Sequence, residues 1–162
     1  MNIPKKYLPK ILSFNDKNII RNALKKSRKL YKKKVYFTRP KVLSYKSKKS
    51  NHLLNVEKIY KIKTLKVNDE LSRKTGCSKS SLKKILKKGQ GAYYSSGSRP
   101  NQSAHSWGYA RLASAITGYK SAAVDFNILK DGCKKTGKAY KLALKAKKKF
   151  KFGTRRVPKI KF

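Results

Sequence analysis

The chain has 162 residues and sets 45 Lys and Arg against 6 Asp and Glu, a formal net charge of +39. The length suits one domain, or one domain with arms. A charge of this size works against any compact state unless a polyanion neutralises it, which excludes a cationic main partner.

Only 38% of the residues are apolar and 31% are charged, averages that on their own suggest disorder. The charge is unevenly spread, however. Residues 1–50 hold 17 basic side chains and one acid, residues 89–133 only four and two, and residues 134–162 thirteen and none. A mainly α fold is expected: a small helical core over 16–145, a basic N-terminal arm over 1–15 and a basic tail over 146–162.

Pro4 and Pro9 make residues 1–15 read as an extended arm. The segment MNIPKKYLPKILSF has neither a long apolar run nor a small-residue cleavage site, so no signal peptide is expected. No stretch approaches the roughly 20 apolar residues of a transmembrane helix, and no membrane partner is expected. Asn15 or Asp16 can cap a helix reaching about Lys33, with Ile20, Ala23, Leu24 and Ser27 at helical spacing. Residues 35–50, interrupted by Pro40 and ending Lys-Ser-rich, read as an extended crossing segment, and a short helix is expected over Asn51–Tyr60.

Residues 68–89, NDELSRKTGCSKSSLKKILKKG, predict two short helices joined by a tight turn. Asn68 caps the first and Gly76 stops it; Ser78 caps the second and Gly89 stops it. This is the helix-turn-helix pattern, with Leu71, Thr75, Cys77, Leu82 and Ile85 inward and Ser72 where a small residue lets the helices cross. The outward face of the second helix presents Lys79, Ser80, Lys83, Lys84 and Lys87, the side such motifs lay against DNA. An ordinary helical hairpin with a solvated Lys face is the plainer alternative.

The near-neutral stretch 89–133 is expected to be the packed core. Within it GQGAYYSSGSRPNQ, 89–102, reads as a loop whose amides could form a phosphate nest assisted by Arg99. Helices over about 104–117 and 121–130 would pack with Leu82, Ile85 and Leu86, using Trp107, Leu112, Ile116, Phe126 and Leu129. The last segment begins as a helix on Tyr140, Ala143 and Leu144. It continues as a basic tail in which Arg155 and Arg156 interleave with Phe150, Phe152 and Phe162, a pattern suited to phosphates and stacking.

Catalytic options are few. His105 and Asp125 lack a nucleophile elbow, and the Gly-rich stretch lacks the Lys-Ser/Thr ending of a P-loop. No cofactor, metal or small-molecule substrate is expected, and no enzyme. Cys77 and Cys133 carry no zinc-ligand spacing; two buried thiols suit a reducing compartment, and a bridge between them stays open. Of the cations 37 are Lys and eight are Arg, a balance that favours phosphate backbones over base-edge recognition.

The strings SRKLYKKKVYFTRPKVLSYKSKKS, LSRKTGCSKSSLKKILKKGQGAYYSSGSRPNQSAHSWGYARLASAITG and AAVDFNILKDGC resemble an uncharacterised family of small, Lys-rich proteins encoded by giant and other large double-stranded DNA viruses. The likeness runs from about Tyr7 to Lys145, with GAYYSSGSRPNQ its most specific part. This chain has Tyr119 where members tend to have a second Gly after Gly118. The resemblance implies a viral protein made in an infected cell, in the host cytoplasm or virus factory, and packaged in the virion. Three partners then compete. Genomic double-stranded DNA leads, followed by other virion proteins threaded by the arms of a minor capsid protein, and then RNA or the ribosome.

Overall fold

The structure, a computed structural model, describes residues 1–151 and 158–161. Among these residues the fold is mainly α: α1 (Phe14–Lys32), α2 (Asn51–Tyr60), α3 (Asp69–Thr75), α4 (Lys79–Ser95), α5 (Ala104–Ile116), α6 (Lys120–Val124), α7 (Phe126–Gly132) and α8 (Lys138–Lys149). Two short strands, β1 (Asn2–Pro4) and β2 (Lys159–Lys161), pair antiparallel with Ile3 opposite Ile160. The chain divides into two compact units. The first is Met1–Lys48 and Gln90–Trp107 together with β2; the second is Lys49–Gly89 and, among the described residues, 108–151. Each unit has its own hydrophobic cluster.

The first unit corrects the reading of residues 1–15 as an arm. Ile3, Tyr7, Leu8 and Leu12 are buried with Ile20, Leu24 and Val42, so the apolar residues between the lysines, not the two prolines, decide this segment. The cap of α1 is Ser13, whose Oγ accepts from Asp16 N at 3.2 Å. Asp16 instead accepts from Ser44 N at 2.9 Å and Ser44 Oγ at 2.6 Å, which hold its carboxyl below the usual range. Trp107 is only half-buried and packs edge-on to Tyr7 at 5.9 Å, in this cluster rather than with Leu112.

Residues 35–45 have no regular partner strand, and a clamp orders them. The Arg39 guanidinium lies 3.7 Å from the centre of the buried Tyr93 ring. It donates to Tyr93 O at 2.7 Å, Ser98 Oγ at 2.6 Å and Ser27 Oγ at 3.3 Å. Asn101 accepts from Val42 N and donates to Val42 O and Tyr45 O. The polar residues of GAYYSSGSRPN thus serve a segment fifty-odd residues upstream, satisfying backbone groups that would otherwise be orphaned.

The second unit holds Leu71, Leu82, Ile85, Leu112, Ala113, Ala115, Ile116, Phe126 and Leu129 in one cluster; Leu86, expected with them, is only half-buried. The expected helix over 121–130 is two helices, α6 and α7, because Asp125 between them turns inward to an Arg. In α8 the buried positions are Ala139, Ala143 and Ala146, and Leu144 faces outward. Tyr60 donates its hydroxyl to Ile116 O, and burial pushes its pKa up.

Gly89 is not a stop. α4 runs through it to Ser95, so the expected loop over 89–102 begins only at 96 and the amides proposed as a nest are spent in the helix. A Cβ at Gly89 would lie 2.7 Å from Gly108 Cα and 3.2 Å from Gly108 O, so the two glycines let α4 and α5 touch backbone to backbone. Gly89→Ala adds about 1 kcal/mol of helix propensity, but overpacking against a backbone costs about 1–3 kcal/mol. A net loss on urea unfolding is the expected outcome, and a stabilised variant would show that the helices can part at no cost.

Candidate nucleic-acid interface

The helix-turn-helix pair forms as its local signals dictate. Asn68 Oδ1 accepts from Leu71 N at 2.9 Å, and the acids Asp69 and Glu70 occupy the first turn of α3, where the helix dipole favours them. Gly76 adopts φ +78, closing α3 with its N–H on Ser72 O. Ser72 Oγ donates to Cys77 O at 2.6 Å, and Thr75 Oγ1 donates to Leu71 O at 2.7 Å. Leu71, Thr75, Cys77, Leu82 and Ile85 are all buried.

A second loop, 132–137, braces this turn. Ser78 N donates to Gly132 O and Lys134 N to Gly76 O, each at 2.8 Å. Cys77 and Cys133 form a disulfide, which resolves the alternative left by the sequence in favour of a bridge. Gly132 also has a packing role, since a Cβ there would fall 1.6 Å from Ser81 Oγ and 2.3 Å from Ser81 Cβ. The sequence marks Gly132 only as a helix stop; nothing in its local spacing points to Ser81.

With the turn held, the first half of α4 presents Lys79, Ser80, Lys83, Lys84 and Lys87 together, all exposed. Positions three and four apart share a helix face, and 79 to 87 spans about 12 Å at 1.5 Å per residue. Lys79 Nζ sits 2.7 Å from Asp69 Oδ1, and that hydrogen bond and charge hold the Asp69 carboxyl below its usual value. Both groups are solvent-exposed, so the pair is weak and a phosphate can displace the carboxylate. Lys88 points elsewhere, to Asp125 Oδ1 at 3.0 Å. The face therefore offers four ammonium groups over a short span.

None of the other expected contacts lies on α4 itself. Arg99 is exposed but belongs to the first unit. Arg155 and Arg156, with Phe152 and Phe162, lie outside the described residues. His105 is not the partner of Asp125, whose two carboxylate oxygens are taken by Arg111 and Lys88. Sequence reading also missed Arg39 and Asn101 as structural residues. The Arg before Pro40 lacked an acid nearby, and its acceptors are carbonyls and hydroxyls more than fifty residues away in most cases.

Over residues 4–135 the chain matches the model of a family described as a family of unknown function, DUF5824. The chain belongs to this family. The DUF5824 match takes in the helix-turn-helix pair, its lysines and both cysteines, and ends before α8. No curated protein and no solved structure matches the chain. Among the described residues of this DUF5824 protein, no three His, Cys, Asp or Glu side chains gather as a metal set, and no helix is long and apolar enough to cross a membrane.

Proposed function

We propose that this protein is a non-enzymatic nucleic-acid-binding protein of a large double-stranded DNA virus. In this reading it is associated with the virion and contacts or condenses the genome mainly through phosphates. The observation that carries the proposal is the cluster of Lys79, Lys83, Lys84 and Lys87 on the exposed side of α4 behind a braced turn, in a chain of net charge +39. The fate of the arginines supports backbone contact over base reading. Arg28 is spent on Ser96 O and Asn2 O, Arg39 on Tyr93 and Ser98, and Arg111 on Asp125, while exposed Arg73 lies on α3, so the exposed cations of α4 are point charges with no guanidinium fork among them. Both this reading and the minor-capsid alternative give the arms a role, and residues 1–12 instead contribute to a core, with β1 paired to β2, so the weight of the proposal rests on α4.

Affinity for a random-sequence duplex of about 30 base pairs should fall steeply between about 50 and 400 mM salt, with a log–log slope of about −6 or steeper. Replacing Lys79, Lys83, Lys84 and Lys87 by Ala should flatten that slope by about one unit per Lys actually seated on a phosphate. An unchanged slope in the quadruple variant would remove α4 as the interface. Stronger competition by RNA than by duplex DNA would move the reading to an RNA partner.

A further inference from the structure

Away from the α4 face, the second unit contains an open pocket of about 390 Å³ between α2, the α5–α6 turn and α8. Its walls are apolar and aromatic, with Tyr119 and Phe150 as the rings and Ile59 and Leu142 beside them. Lys58, Lys145 and Lys149 line it as well, all exposed, and no carboxylate does among the described residues. The Tyr119 ring is held in place: its hydroxyl accepts from Asn55 Nδ2 at 3.0 Å, and the His52 ring lies edge-on at 4.9 Å. Gly118, at φ +77, lets the α5–α6 turn lie close against α8, since a Cβ there would come within 3.0 Å of Leu142 Cβ. An open site of this size can seat part of a small organic ligand, with a few placed polar groups setting orientation.

We propose that this pocket takes a nucleoside phosphate, the ring against Tyr119 and Phe150 and the phosphate among Lys58, Lys145 and Lys149. Flat rings and unopposed ammonium groups in one concavity match a ligand that joins a planar base to an anion, as at stacking sites for single-stranded nucleic acid. A fatty acid would need a deeper apolar channel than this open site offers. The ligand has two sources: a free nucleotide, or an unpaired nucleotide within a strand. Only the second rests on the nucleic-acid reading above.

The test titrates the full-length protein with adenosine 5′-monophosphate and with a short single-stranded oligodeoxyadenylate, beside the duplex. Tyr119→Ala should weaken binding of whichever probe uses the pocket about tenfold or more. Tyr119→Phe, which keeps the ring, should retain most of it. The double variant Lys145→Ala/Lys149→Ala, a surface change that leaves folding intact, should also weaken it and reduce its salt dependence. The α4 quadruple variant should leave monophosphate binding unchanged. Binding of the monophosphate identifies the free source; binding of the strand alone, with the same dependence on Tyr119, identifies the strand. If neither probe responds to Tyr119→Ala and to the double Lys variant, the proposal is overturned. Failure of the unaltered protein to bind the duplex, with monophosphate binding intact, would count against the α4 reading and leave the pocket standing.

Discussion

Asp125→Asn is expected to lower the unfolding free energy by about 3 kcal/mol, the lower end of the cost of stranding one partner of a buried ion pair. Asp125 is 1% exposed, one of six acids in the chain, and sits at the junction of α6 and α7. Arg111 Nε and Nη2 reach its two oxygens at 2.8 Å each, the bidentate geometry in which a guanidinium matches a carboxylate. Asn would keep the shape but turn an NH2 toward the same donors, leaving the Arg111 charge uncompensated. The Arg111 side chain is 20% exposed, so water recovers part of the loss, and half-exposed Lys88 adds little. A urea midpoint equal to the unaltered protein's would refute this account. Arg111→Met combined with Asp125→Leu should recover most of the loss, because removing both charges leaves no stranded ion. The consequence reaches the proposed interface, since Arg111 belongs to α5, which packs on α4 through Gly89 and Gly108.

Reducing the Cys77–Cys133 bridge should cost about 4 kcal/mol if the closed loop acts through the entropy of the unfolded chain. The cysteines are 56 residues apart, so the bridge closes a long loop. For a chain of this size that corresponds to a fall of about 10 °C in melting temperature. The turn itself should survive, because the backbone bonds from Ser78 to Gly132 and from Lys134 to Gly76 do not need the sulfurs. Duplex affinity measured well below the melting point should therefore be nearly the same in the oxidised and reduced protein. Melting with and without reductant, with Cys77→Ser/Cys133→Ser as the control, checks the stability claim. Two thiols titrating in the native oxidised sample, or a melting temperature indifferent to reductant, would contradict it.

Much of the local structure could be read from neighbouring residues alone. α2 over Asn51–Tyr60, the Asn68 cap, the Gly76 stop and the lysine face at 79, 83, 84 and 87 all follow from signals within one or two helical turns. Such signals act on groups already close along the chain, where capping and helical periodicity operate before any packing. Features that depended on a distant partner were not legible. A glycine in mid-sequence ends a helix unless another backbone needs its empty side, and Gly108 is that backbone for Gly89. The prolines of residues 1–12 argued for an arm, and only burial of Ile3, Tyr7, Leu8 and Leu12 against α1 outweighed them. Arg39 found acceptors on Tyr93 and Ser98, and Cys77 found Cys133, across separations that no periodicity encodes. Sequence by itself determined which helices form at the motif and which charges they carry. Tertiary structure decided where those helices end, what closes the turn and which cations stay outside, because burial rewards contacts irrespective of distance along the chain.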